Sequence, residues 1–427
     1  MGVATTYNPG SNAASRGSST RGASGPMAAF SMPRFSALLL LFLTSVVSTA
    51  FSADGGSRTT YLSQATPASD DEIDPATGLA RSSVVKPLVG AAPVPDPRRI
   101  AAPPKAHIAL ILPTTSQALG RLANAVRQGF LAAIEAGGKD APPVSLTAVD
   151  NEGPALLEAC RNAQEAGAVL VVAGITRDGA SALARSDCAR QPVLALNEPQ
   201  AAPPDMPVNL YTFSLSLENE ARQVALLAVA EGWRSAIVIV SPSPLARRVQ
   251  EAFEREWSRA AGQVSARITF SGTAEDAPLV RERMASVRTG DMVFMALDQL
   301  DARAVRPYVS GMLPLYATSM SVNARAEAIV NVDLQGVRYV EMPWFAQPDH
   351  PAVMVYPTPR AMSVEEERLY AFGIDAYRIS TQLLRGDKRT PIDGVTGRLA
   401  LEPPTHFART LTPAEVDGGR VIPLRAP

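Results

Sequence analysis

From His107 onward, short apolar runs alternate with helical patterns, and this alternation restricts the fold more than any other feature of the sequence. His107-Ile108-Ala109-Leu110-Ile111-Leu112 is a continuous apolar run, as expected of a strand covered on both faces. Pro113-Thr114-Thr115-Ser116 separates it from a helical pattern over residues 119–136. The unit recurs as a strand at 144–149 with a helix at 154–166, then a strand at 168–173 with a helix at 178–189, and a fourth strand at 193–196. A second series follows, with helices at 218–230, 245–260, 277–287 and 300–308 interleaved with strands at 236–240, 264–270 and 292–296. Such alternation predicts parallel sheets with right-handed crossovers and helices on both faces. The expected fold class is α/β, with two doubly wound, Rossmann-like lobes.

Residues 333–344 read as a strand crossing from one lobe to the other. Val337, Tyr339 and Glu341 alternate with Arg338, Val340 and Met342, Gly336 opens the run, and Pro343 ends its ladder. Beyond it, Ser363-Val364-Glu365-Glu366 is a capping box, and the helix it opens carries Leu369, Phe372, Ala376 and Ile379 on one stripe. That helix is expected on the first lobe. Asp393-Gly394-Val395-Thr396-Gly397 supplies turn residues ahead of the strand pattern Arg398-Leu399-Ala400-Leu401, which is expected on the second lobe. Three crossing segments then divide residues 105–427 into lobe 1, about 105–215 and 345–390, and lobe 2, about 216–344 and 391–427.

Residues 1–53 read as an N-terminal extension and signal peptide. Arg34 precedes an apolar run at 37–47 and the small residues Ser48, Thr49 and Ala50, the order of a secretory signal. Uncharged sequence over 35–53 leaves an uncleaved membrane anchor as the alternative. No Cys follows the run, so lipidation there is not expected. Residues 54–104 are rich in Pro and Ala without sustained period and read as a disordered tether. A net charge of -1 and the absence of a basic run argue against nucleic acid or an anionic membrane as partner.

Catalytic constellations are thin. His107, His350 and His406 are far apart and none has a metal-ligand spacing, and there is no phosphate-binding glycine loop or nucleophile elbow. The expectation is a protein that is not an enzyme, with no catalytic residue, metal or cofactor. The loops at strand C-termini are polar, where open parallel sheets bind ligands. Their cleft candidates are Thr114, Ser116, Asp150, Thr176, Arg177, Asn197, Ser241 and Asp298; such residues also cap helices with no ligand present. Cys160 and Cys188 fall on consecutive helices placed side by side by a right-handed crossover, within reach of a disulfide, with buried free thiols as the alternative.

The two-lobed pattern with three crossings resembles the type I periplasmic binding-protein fold. Leu334-Gln-Gly-Val-Arg-Tyr-Val-Glu-Met-Pro-Trp344, Leu369-Tyr-Ala-Phe-Gly-Ile-Asp-Ala-Tyr-Arg378, Gly394-Val-Thr-Gly-Arg-Leu399 and Gly174-Ile-Thr-Arg177 look like the C-terminal domain of the LppC/LpoA family. Its members are outer-membrane lipoproteins that activate a bifunctional penicillin-binding protein. The resemblance covers about residues 107–427. The helical-repeat domain and lipidated Cys of enterobacterial members find no counterpart in the stretch that reads as a tether. It implies an exported, periplasmic, non-enzymatic regulator of peptidoglycan synthesis whose partner is a penicillin-binding protein. The alternative is a solute-binding receptor of an ABC transporter, holding an amino acid or similar small molecule in the interlobe cleft.

Overall fold

The computed structural model describes residues 106–200 and 205–425. The signal and tether read at 1–53 and 54–104 lie outside them. Lobe 1 opens with β1 (His107–Leu112), α1 (Gly120–Gly137), β2 (Val144–Ala148), α2 (Pro154–Glu165), β3 (Ala168–Ala173), α3 (Arg177–Ala184), β4 (Val193–Ala195) and β5 (Leu210–Phe213). Residues 214–216 cross to lobe 2, which holds α4 (Leu217–Ala230), β6 (Ser235–Val240), α5 (Pro244–Arg259), β7 (Gln263–Thr269), α6 (Asp276–Ala285), β8 (Met292–Ala296), α7 (Gln299–Val305), β9 (Leu315–Ala317), α8 (Ala328–Asn331) and β10 (Val337–Glu341). The second crossing runs through α9 (Pro343–Ala346) and α10 (Pro351–Met354) to α11 (Val364–Leu384), β11 (Ile392–Asp393), β12 (Arg398–Glu402) and β13 (His406–Thr410). Leu411 makes the third, into β14 (Thr412–Asp417) and β15 (Arg420–Pro423).

The sheets run β11-β12-β13-β5-β4-β3-β1-β2 and β15-β14-β10-β9-β8-β6-β7, each with a parallel body and an antiparallel end. This is the expected two-lobed α/β architecture. Strand residues divide by parity between two layers: Ile108, Leu110 and Leu112 of β1 enter the core under α1 and α11, whereas Ala109 and Ile111 face α2 and α3.

Three expectations need correction. The strand read over 333–344 is shorter, because Val332–Leu334 is a 3₁₀ turn, and β10 stays in the second sheet while the crossing begins at Met342. The helix read over 178–189 ends at Ala184, and Cys188 sits on a following 3₁₀ turn. The tail strand at 398–401 joins lobe 1 rather than lobe 2. There β13 pairs in parallel with β5, matching His406 with Thr212 and Phe407 with Phe213, and Val395, Leu399 and Phe407 enter the lobe 1 core. Capping the open edge of β5 buries these apolar side chains, so lobe 2 receives only residues from Thr412 onward.

The capping box at Ser363 is present, with both reciprocal hydrogen bonds, and α11 packs along α1. Their contact depends on facing glycines: a Cβ on Gly373 would lie 2.1 Å from the Val126 carbonyl oxygen, and one on Gly129 would lie 1.8 Å from that of Tyr370. Two helix backbones touch there with nothing between them. Cys160 and Cys188 form a disulfide with Cα atoms 6.2 Å apart, within bridging reach.

Gly373→Ala is expected to destabilise lobe 1 at or above the upper end of the roughly 1–3 kcal/mol typical of overpacking, because the obstacle is backbone. Gly311→Ala, which meets nothing within 4 Å, is the control in the same denaturant titration. Removing the disulfide as Cys160→Ala/Cys188→Ala is expected to cost about 3 kcal/mol through the loop it closes, seen as a lower urea midpoint.

Candidate functional site

The three crossings lie side by side, and buried polar groups hold them together. Ser214 in the first crossing offers its carbonyl to Arg409 Nε at 3.0 Å, while Arg409 Nη1 reaches the Thr396 carbonyl at 3.2 Å. Gln223 of α4 spans the third crossing, donating to the Arg409 carbonyl and accepting from Leu411 N, both at 2.9 Å. Glu341, at the end of β10, takes both terminal nitrogens of Arg368 on α11 at 2.6 and 2.7 Å. Asp375, wholly buried on α11, accepts from Val395 N, Thr396 N and Thr396 Oγ1 and so fixes the tail loop. Burial pushes the Asp375 carboxyl above its ordinary value, and these donors pull it back.

Against this hinge lies a cleft of about 280 Å³, lined by Arg177, Asn197 and Glu198 of lobe 1, Leu215 and Ser216 of the first crossing, Leu217 and Glu218 at the start of α4, and Leu245 and Arg248 of lobe 2. Its cationic end is already occupied. Arg177 Nη2 and Arg248 Nε, one from each lobe, converge on Glu218 Oε1 at 2.8 and 2.9 Å, and Ser216 donates to the other oxygen at 3.2 Å. Burial opposes the Glu218 charge, yet the hydrogen bond from Arg248 and the field of Arg177 help hold its carboxyl below the usual range. A second anion position, the N-terminus of α3, is also filled. Glu152, buried, accepts from Ile175 N at 2.8 Å, from Thr176 N at 2.7 Å and from Thr176 Oγ1 at 2.6 Å. Two carboxylates of the chain thus stand where a ligand anion would bind.

Of the eight cleft candidates, only Arg177 and Asn197 line this cavity. Thr176 caps α3 through Gly179 N and Asp298 caps α7 through Asp301 N, while Ser116 Oγ accepts from Leu119 N at the start of α1. Thr114 lines a separate cavity beside β2, Asp150 is exposed and accepts from Asn151, and Ser241 is buried against Ser243. Capping thus accounts for two of the residues picked out as ligand contacts, Thr176 and Asp298. Glu152 and Glu218 were missed, although Glu152 follows Asp150-Asn151 directly and Glu218 stands two residues after the Ser216 cap. Among the described residues, no group of three or more His, Cys, Asp or Glu is placed to hold a metal, and no helix is long and apolar enough to cross a membrane.

The family model described as "LppC putative lipoprotein" matches residues 100–282 and 280–419. The chain belongs to the LppC family. Among curated proteins similar to this LppC chain, the penicillin-binding protein activator LpoA of Photobacterium profundum is 24% identical over 334 residues, covering 69% of this chain and 53% of that protein. The chain thus spans about half the length of the curated relatives it matches. A solved structure from Chromobacterium violaceum ATCC 12472, described as "a putative branched-chain amino acid ABC transporter", is 35% identical with a TM-score of 0.63, covering 73% of this chain and 100% of that one. The LpoA (YraM) C-domain from Haemophilus influenzae, a regulator of PBP1A, has a TM-score of 0.62 at 21% identity, covering 75% of this chain and 100% of that one, and shares the fold.

Because its folded pKa is depressed, Glu218 contributes to closure above the ordinary carboxylate pKa of about 4.3, and this contribution is lost as pH falls through the lower folded value. Glu218→Gln is expected to remove that acid-side dependence and to raise amide exchange at residues 214–218 at neutral pH. Exchange unchanged from the parent at pH 7 would show that the clamp does not hold the lobes.

Proposed function

We propose that this chain is a non-enzymatic, periplasmic regulator of peptidoglycan synthesis that works by presenting lobe surface to a penicillin-binding protein. The observation that carries the reading is the self-occupied cleft. A solute receptor keeps its anion-binding groups free for solute, whereas here Arg177, Arg248 and the α3 N-terminus are engaged by Glu218 and Glu152. Membership of the LppC family and the likeness to LpoA activators support the same reading. The signal read at residues 34–50 supports export to the periplasm.

The reading places contact on exposed lobe surface. Leu300 and Ile329, 74% and 70% exposed, lie on neighbouring parts of lobe 2, where Gln299 Nε2 donates to Asn331 Oδ1 at 3.1 Å. Large apolar side chains left open in this way suit a protein partner. The second reading, a receptor for an amino acid, is favoured by the 35% identity to the Chromobacterium violaceum protein. In that case a carboxylate ligand displaces Glu218 from the two arginines.

The two readings separate on paired variants. Purified penicillin-binding protein is expected to be retained by the parent chain and by Arg177→Ala, and to be lost at least about tenfold by Leu300→Glu/Ile329→Glu, in line with hot-spot costs above about 1 kcal/mol. If instead the parent binds an amino acid saturably, Arg177→Ala abolishes function and the lobe 2 variant behaves as the parent, the receptor reading stands and the regulator reading is wrong.

A further inference from the structure

A second interlobe cavity, of about 340 Å³, shares Leu215 and Leu217 with the cleft of the Glu218 clamp. Its walls are mostly apolar: Leu215 of the first crossing, Met342 at the second, Leu217 at the start of α4, Met320 and Val322 from lobe 2 and Val364 from the start of α11. Into this lining is set Glu220, 4% exposed. One hydrogen bond reaches its carboxyl, from Ser319 N to Oε2 at 3.0 Å, and among the described residues none reaches Oε1.

Nor, among the described residues, does a cation pair with it. Arg368, which also lines the cavity, has both terminal nitrogens on Glu341, and Arg409 directs two nitrogens to backbone carbonyls while its Nη2 meets no acceptor. Both arginines favour the Glu220 charge through space, but neither forms an ion pair with it, and burial raises its carboxyl above the ordinary range. A buried acid with no paired cation is costly to ionise. Among the described residues, Glu220 satisfies no strand, cap or loop beyond the single Ser319 amide. Glu365, exposed and also lining the cavity, adds a second acid and no cation.

We propose that this cavity is a binding site for a small ligand carrying a primary ammonium group on an apolar body, with Glu220 as the carboxylate that receives the ammonium. The ammonium donates to Oε1, the contact that Arg368 and Arg409 do not make, while the aliphatic part lies against Leu215, Leu217, Met320 and Met342. An anion is disfavoured, since the open acceptor is a carboxylate and the arginine that lines the cavity, Arg368, is held by both oxygens of Glu341. The occupant touches the first and second crossings directly, so its binding couples to the angle between the lobes.

The inference is independent of the proposed partner, because binding is read on the purified chain alone. Calorimetric titration compares hexylammonium, hexanol and hexanoate as probes. Saturable binding of hexylammonium is expected, with hexanol and hexanoate weaker by about tenfold or more. Glu220→Gln is expected to abolish the preference for the amine. As that residue lies in a buried charge network, Met320→Trp serves as a second variant that fills the cavity and leaves the charges in place, and it is expected to abolish binding of all three probes. Equal binding of amine, alcohol and acid, no saturation by hexylammonium, or an amine affinity unchanged in Met320→Trp would each overturn the assignment.

Discussion

The packing of three crossings into one hinge rests on charges that have been taken out of water. Arg409 and Asp375 are buried, Glu341 is 1% exposed, and each is engaged with an element distant in sequence. Burying ionised groups costs several kcal/mol apiece, which only good geometry offsets, and removing one member of such a pair costs roughly 3–5 kcal/mol. The arrangement therefore tolerates few alternatives. Arg409 requires Ser214 and Thr396 in place, Thr396 requires Asp375, and Asp375 requires α11 seated against α1 by Gly129 and Gly373. Sheet pairing, helix contact and hinge geometry are parts of one interlocking set.

That set explains why distinctive motifs lie in the last hundred residues and away from the cleft loops. In Leu369-Tyr-Ala-Phe-Gly-Ile-Asp-Ala-Tyr-Arg378 the glycine admits the Val126 carbonyl, the aspartate anchors the tail loop, and Phe372 stacks on Phe213 with ring centroids 4.5 Å apart. Gly394-Val-Thr-Gly-Arg-Leu399 is the loop that Asp375 holds, and Trp344 N donates to the Val395 carbonyl at 2.9 Å. These residues serve the hinge. Their contacts account for them without a solute.

Much of the fold could be read from the sequence because its parallel strands are covered on both faces and their helices carry clear apolar stripes. Met292–Ala296 and the capping box at Ser363 are cases in which local chemistry alone suffices. Leu210–Phe213 and Leu315–Ala317 went unread because strands of four and three residues show no period; Val193–Ala195, equally short, was read only as the next step of the strand-helix alternation. The tail strand was assigned to the wrong lobe because alternation names a strand but not its neighbour, and the open edge of β5 lies almost two hundred residues upstream. The site was less legible still. Ser, Thr and Asp at strand ends look alike as caps and as ligand contacts, and only the fold reveals that Glu218 meets Arg177 across 41 positions of sequence.

The tail has a bearing on how the chain is made. His406 and Phe407 pair with the β5 edge of one sheet, and residues 412–415 pair with β10 in the other. Neither sheet reaches its final width until the closing stretch is available, whether it emerges from the ribosome or from a translocation channel. Up to that moment both lobes display an unpaired strand edge with apolar residues beside it, the condition in which chains recruit chaperones or one another. The same few residues finish two separate sheets, so the lobes become complete together, and the angle between them is set in the act that completes them.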